Sequence, residues 1–168
     1  MKIGIIGTHS VGKTTLALRL AARLKRTYPE KSVGLLNEII RQCPFPVNKK
    51  TTPNTQRWIY HKQMSEEIEL SAAHDILVCD RTVLDGLIYA QWAGFRDIVD
   101  DCLSQALSWI DTYSRLYWLR PNGKPVADGF RDTDVNFQQD IDGIMAAWIK
   151  QFGISATVVR NTPLCVQT

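Results

Sequence analysis

The sequence predicts an α/β fold of three layers, with a five-stranded parallel sheet covered by helices on both faces. Three observations lead there. Strand-length apolar runs alternate with segments of helical period along the 168 residues. Runs such as Ile76 to Cys79 are continuously apolar, as strands buried on both faces are. Finally, the runs at Val33 to Leu36 and Ile76 to Cys79 finish on acidic residues, at the strand ends where open parallel sheets bind ligands.

Ile3, Ile5 and Ile6 form the first strand and lead into a glycine-rich turn. Leu16, Leu20 and Leu24 then recur at helical spacing over Lys13 to Tyr28. Val33 to Leu36 is the second strand and ends at Asn37 and Glu38. Pro44, Pro46 and Pro53 mark a loop in which Lys49 and Lys50 read as solvated surface. From Thr55 to Ala73, the positions of Trp58, Ile59, Met64, Ile68 and Leu70 indicate a helix. Ile76 to Cys79 is the third strand and ends at Asp80 and Arg81. Helices are predicted from Thr82 to Ala93 and from Phe95 to Ile110, parted near Gly94. Arg115 to Leu119 is the fourth strand; Pro121-Asn122-Gly123-Lys124-Pro125 with Asp128-Gly129 marks an exposed loop. A helix from about Thr133 to Phe152 and a strand at Ala156 to Val159 complete the pattern. Right-handed crossovers are expected between the strands. With no repeat and no linker, residues 1–168 are expected to form a single domain, with a lid at 121–133.

Composition narrows the class. The chain is 45% hydrophobic and 22% charged, enough apolar material for a core. Its amino terminus is too short in apolar residues for a signal peptide, and no stretch approaches the roughly 20 residues of a membrane span; a cytoplasmic protein is expected. The net charge of +3 does not argue for nucleic-acid binding. Cys43, Cys79, Cys102 and Cys165 lack the paired spacing of a zinc site and read as free thiols.

Gly7-Thr8-His9-Ser10-Val11-Gly12-Lys13-Thr14 matches G-x-x-x-x-G-K-[ST], a pattern that average composition produces in such a length about once in a few hundred sequences. It lies between a strand and a helix, the context its chemistry needs. Glycines let the backbone wrap around phosphate, and successive amides with the helix amino end supply positive potential. Lys13 is placed to reach terminal phosphates, Thr14 to offer a hydroxyl to Mg2+, and Thr15 to bind an inner phosphate. The phosphate-bearing ligand is therefore expected to be ATP with Mg2+, held by Gly7, His9, Ser10, Val11, Gly12, Lys13, Thr14 and Thr15. His9 has no clustered His or Cys near it, so the sequence gives it no metal or catalytic role of its own.

The acidic strand ends supply further candidates. Asp80 should emerge at the carboxyl edge of the sheet beside the phosphate loop, to act on Mg2+ or to accept a proton from an attacking hydroxyl. Asp80 or Thr82 also reads as a helix cap, with Asp85 three residues after Thr82. Glu38 reaches the same edge, and Arg41, three residues on, shares its side of a helical turn. That pair reads either as a substrate clamp or as a surface ion pair. Arg131, within Asp128-Gly129-Phe130-Arg131-Asp132, is positioned to fold over ATP and meet the charge that shifts during transfer. Trp58, Tyr60, Gln63 and Trp92 read as core residues or as the lining of a base pocket.

Taken together, Gly7 to Thr14, Glu38-Ile39-Ile40-Arg41, Cys79-Asp80-Arg81-Thr82-Val83-Leu84-Asp85 and Asp128-Gly129-Phe130-Arg131 resemble the P-loop nucleoside and nucleotide kinases. The resemblance is strongest to the nicotinamide riboside kinase-like branch of AAA-type ATPase domains. It implies a sheet in the order 2-3-1-4-5, Asp80 as base or magnesium-linked acid, Arg81 near the acceptor, and Arg131 in a mobile lid. Lids of that family often carry a second arginine, and Asp132 to Asp140 contains no basic residue.

The leading expectation is transfer of the ATP terminal phosphoryl group to a small nucleoside-like acceptor, with Lys13, Asp80 and Arg131 as the catalytic group. A nucleotide-hydrolysing switch is the alternative, but the chain has no Asn-Lys-x-Asp base-reading motif. A polynucleotide 5′-kinase, with Arg41, Lys49 and Lys50 on the backbone, is a third reading. No membrane partner is expected, and the sequence does not fix the oligomeric state.

Overall fold

The computed structural model describes residues 1–123 and 133–159. Its elements follow the predicted order: β1 (Lys2–Ile6), α1 (Lys13–Thr27), β2 (Val33–Leu36), α2 (Pro53–Ala73), β3 (Ile76–Asp80), α3 (Val83–Trp92), α4 (Arg96–Ile110), β4 (Arg115–Leu119), α5 (Val135–Gln151) and β5 (Thr157–Val159). Two short 3-10 turns, Ile39–Gln42 and Asn48–Lys50, lie between β2 and α2. The helix predicted to begin at Thr55 begins at Pro53. Thr52 caps it, exchanging hydrogen bonds with Thr55, and Pro53 occupies a first-turn position where its missing N–H has no helical partner to lose.

All strand pairs are parallel and the order is β2-β3-β1-β4-β5. Alternation along each strand sends side chains to opposite faces of the sheet. Ile6, Leu77, Cys79, Leu116 and Trp118 join the larger core with residues of α2, α3, α4 and α5. Ile5, Val78 and Leu119 join the smaller one with Val11, Ala17 and the Leu16–Leu20–Leu24 stripe of α1. The predicted stripe of α1 thus covers one face alone, while the remaining helices build the other.

β1 lies between β3 and β4, with Ile5 in register with Asp80 and with Tyr117. The loop after β1 therefore lies next to the acidic end of β3. Among the described residues no helix is long and apolar enough to cross a membrane. Cys43, Cys79 and Cys102 are free thiols, and Cys165 lies outside the described residues.

Candidate phosphate-binding and acceptor site

Backbone conformation shapes the loop between β1 and α1. Gly7 has φ 146° and Gly12 φ 89°, and a Cβ on Gly7 would stand 2.4 Å from the Leu119 carbonyl oxygen. Between them Ser10 adopts φ 60°, the left-handed conformation, and Val11 anchors the loop in the smaller core. Gly12 caps α1 without a side-chain hydrogen bond, and the first turn of α1 carries no acid. The amino end of α1 thus keeps its positive character for an anion.

Lys13 opens α1 but is buried, and its Nζ donates to the Thr8 carbonyl at 2.6 Å. Burial, and after it the neighbouring Arg81 guanidinium, lower its pKa to about 7, with Asp85, Glu38 and Asp80 pulling the other way. Thr14 Oγ1 donates to Asp80 Oδ2 at 2.6 Å, while Asp80 Oδ1 is buried and has no hydrogen-bond partner. This hydroxyl and carboxylate form an oxygen-donor pair of the kind a hard divalent cation accepts while keeping water and phosphate oxygens as its other ligands. Thr15 is exposed on α1.

His9 is buried and braces the loop from above. Its Nδ1 lies 3.3 Å from both Thr8 Oγ1 and the Tyr89 hydroxyl, and its ring packs 5.0 Å from that of Phe137. Its carbonyl accepts from Gln138 Nε2 at 2.8 Å. These contacts tie the loop to α3 and α5. No group of three or more potential metal-ligating side chains occurs among the described residues.

A second set of charges stands across from the loop. Glu38 follows β2, and the 3-10 turn after it brings Arg41 Nε to 3.2 Å from Glu38 Oε2. Glu38 Oε1 accepts from Arg81 Nε at 2.8 Å, so one buried carboxylate joins both arginines. The Arg81 guanidinium also lies 3.5 Å from Asp85 Oδ1 and 5.5 Å from the Tyr89 ring centroid. Burial works against its charge, but Glu38, Tyr89 and Asp85 outweigh that and raise its pKa.

Thr82 caps α3 through Asp85, whose Oδ2 accepts from the Thr82 amide at 2.9 Å and the Thr82 hydroxyl at 3.1 Å. Asp80 takes no part in that cap. Asp85 does more than cap: its Oδ1 accepts from the Gly7 amide at 3.4 Å, linking the phosphate loop to the arginine cluster. Burial pushes the Asp85 carboxyl up, against the pull of Arg81 and Lys13. Its spacing of four from Arg81 was the available sequence signal for this second role. Tyr89, which touches both His9 and Arg81, had no signal beyond its place on α3.

The two readings left open for Trp58, Tyr60, Gln63 and Trp92 divide three to one, with the aromatic residues in the core. Tyr60 is fully buried and its hydroxyl donates to Cys102 O and Gln105 Oε1, so it belongs to the α2–α4 core and not to a base pocket. Trp92 packs on Phe137 at 4.4 Å, and Trp58 lies against the larger core. Of the four, Gln63 faces the site: with Ile39, Ile59, Arg81, Asp85 and Tyr89 it lines a cavity of about 20 Å³. Lys49 is exposed, as expected, and its Nζ bonds Asp134, the cap of α5, at 2.5 Å. Arg131 and most of the expected lid lie outside the described residues.

Solved structures share this architecture. Thymidylate kinase from Ehrlichia chaffeensis superposes with a TM-score of 0.69 at 16% identity, over 100% of this chain and 90% of that one. Deoxyadenosine kinase from M. mycoides with bound dCTP gives 0.66 at 16% identity, over 99% and 93% of the two chains. The same enzyme with bound dATP gives 0.61 at 18% identity, over 95% and 90%. No curated protein matches the chain in sequence. The family model for the AAA domain matches residues 2–164. With that match spanning nearly all of its length, the chain belongs to the AAA domain family, and its fold is that of the P-loop nucleotide kinases.

Proposed function

We propose that this protein transfers the terminal phosphoryl group of ATP to a small nucleoside-like acceptor. The observation that carries the reading is the apposition of two differently built half-sites. A backbone-lined phosphate loop carries the Thr14–Asp80 pair, and opposite it stands a buried carboxylate held between Arg41 and Arg81. A site that only hydrolyses nucleotide needs the first half alone. The structural neighbours, a deoxyadenosine kinase and a thymidylate kinase, support the same reading.

In the reaction the acceptor oxygen bonds the γ-phosphorus, the bond from that phosphorus to the bridging oxygen breaks, and ADP leaves; the acceptor proton passes to a carboxylate or to solvent. Lys13 meets the charge that builds on the transferring group, and contact with phosphate restores its proton. Thr14 and Asp80 are the residues that would hold Mg2+, which when bound neutralises phosphate charge and aligns the phosphates for transfer. The unpartnered Asp80 Oδ1 fits either a metal-bound water or the acceptor proton. Glu38 has a guanidinium on each oxygen. It suits the holding of an acceptor hydroxyl better than the removal of its proton.

The test is a coupled measurement of ADP release with nucleosides, nucleoside monophosphates, nicotinamide riboside and 5′-hydroxyl oligonucleotides as acceptors. Turnover that rises with one small acceptor supports the proposal. Equal turnover with and without every acceptor overturns it in favour of a hydrolytic switch.

A further inference from the structure

Arg81 adopts φ 89°, a backbone conformation that a residue with a side chain keeps only where its surroundings over-determine it. Its amide donates to Ile5 O at 3.1 Å, and its guanidinium is held by Glu38 at 2.8 Å. Its carbonyl accepts from Gln63 Nε2 at 3.1 Å, a contact from the middle of α2.

The orientation of that amide is set one helical turn further along. Glu67, fully buried, accepts from four side chains: Gln63 Nε2 at 2.9 Å and the Tyr113 hydroxyl at 2.5 Å on Oε1, and Lys2 Nζ at 2.9 Å and Trp109 Nε1 at 2.8 Å on Oε2. Lys2 Nζ lies 4.4 Å from the ring centroids of both Trp109 and Tyr113, which fixes it beside the carboxylate. A carboxylate only accepts, so it turns the NH2 end of Gln63 toward itself. The second N–H of that group is then directed to the Arg81 carbonyl. Reversal of the amide would set its oxygen against both a carboxylate and a carbonyl.

We propose that Gln63 and Glu67 are positioning residues that hold the Arg81 backbone in its left-handed conformation and thereby aim its guanidinium at the acceptor. Glu67 acts through Gln63, and Gln63 through the Arg81 carbonyl. The path runs from Glu67, beside Lys2 at the amino end of β1, to Arg81 after the carboxyl end of β3. The inference rests on the kinase reading above for the role of Arg81, but not for the contact network.

The experiment compares Gln63→Met, Glu67→Gln and Lys2→Met with the wild type. It measures kcat and KM for the best acceptor in the ADP-release assay, ATP affinity by calorimetry, Tm, and the ¹⁵N–¹H signal of Arg81 Nε. Gln63→Met should lower kcat/KM for the acceptor by about tenfold, with ATP affinity nearly unchanged and the Arg81 signal displaced. Glu67→Gln should move the same quantities in the same direction by less. Lys2→Met, which leaves the Gln63–Glu67 contact in place, should lower Tm while sparing kcat/KM and the signal. Should Gln63→Met not fold, Gln63→Asn, whose amide is drawn back by one methylene, carries the same expectation. Folded Gln63 and Glu67 variants with wild-type kcat/KM and an unmoved signal overturn the proposal. So does a kinetic loss in Lys2→Met equal to that of Gln63→Met, which would mark a general structural effect. If the wild type has no acceptor-dependent turnover, it is the kinase reading that falls, and the Arg81 signal alone then decides the positioning role.

Discussion

The phosphate loop and the arginine cluster opposite it face the same space, yet they are made from different materials. The loop owes its shape to backbone: two glycines at positive φ, a helix amino end without an acidic first turn, and one lysine whose charge burial has weakened. The cluster owes its shape to side-chain charges that neutralise one another, with Glu38 between two arginines and Asp85 between Arg81 and the Gly7 amide. Removal of a loop side chain should therefore cost chemistry and spare the fold. In the cluster, removal of a charge leaves its partner buried and unmatched, and fold and chemistry suffer together.

The largest expected effect tests the first half of that contrast. Lys13→Ala should reduce acceptor-dependent ADP release by about a thousandfold or more while Tm holds, because the group meets transition-state charge and is no core element. A fall in Tm as large as that of a cluster variant would erase the distinction. Next in size, Asp80→Asn should lower turnover by about a hundredfold with nucleotide still bound, since it neutralises the carboxylate that accepts from Thr14. A titration of Mg2+ against the same variant should show a raised metal requirement.

Glu38→Gln probes the other half. It should destabilise the protein by about 2 kcal/mol in chemical denaturation and raise KM for the acceptor, while ATP affinity stays near that of the wild type. Unchanged stability would mean that Arg81 is held without Glu38.

A pH measurement sharpens the comparison from the loop side. The folded pKa of Lys13, about 7, lies below its ordinary value of 10.5. Between those values the unfolded chain binds more protons at this residue than the folded one, so stability without ligand should rise with pH across that window. Lys13→Met should lack this share of the rise, and parallel curves from pH 7 to 10 would contradict the shift. The smallest expected effect is outside both half-sites: Lys49→Ala removes a partly exposed pair with Asp134 and should change stability by no more than about 0.5 kcal/mol.

How far each half could be read in the sequence follows from the same difference. A loop built from backbone needs particular residues at fixed short spacing, and Gly7 to Thr14 announces itself as a contiguous motif. The strands, their acidic ends and the α1 stripe were legible because burial imposes a period. Glu38 and Arg41 were paired correctly across a turn, since three residues suffice to bring them together. The Arg81–Glu38 bond spans 43 positions and forms only because β2 lies beside β3. No local pattern encodes it. Asp85 is legible as a cap and not as a link to Gly7, and Glu67 has no local signal, because Lys2, Trp109 and Tyr113 reach it from distant positions. Lys49 is exposed as expected, but its bond to Asp134 had no local signal, because that partner stands 85 positions away.

The most direct test of the central claim follows the transferred atoms. With ATP carrying ¹⁸O on its γ-phosphoryl group, Mg2+ and the best acceptor from the ADP-release assay, mass spectrometry of the products shows where the label goes. The account predicts that labelled phosphate appears on the acceptor in step with ADP and is lost in Lys13→Ala. Label found only in inorganic phosphate, with the acceptor unmodified, would contradict it.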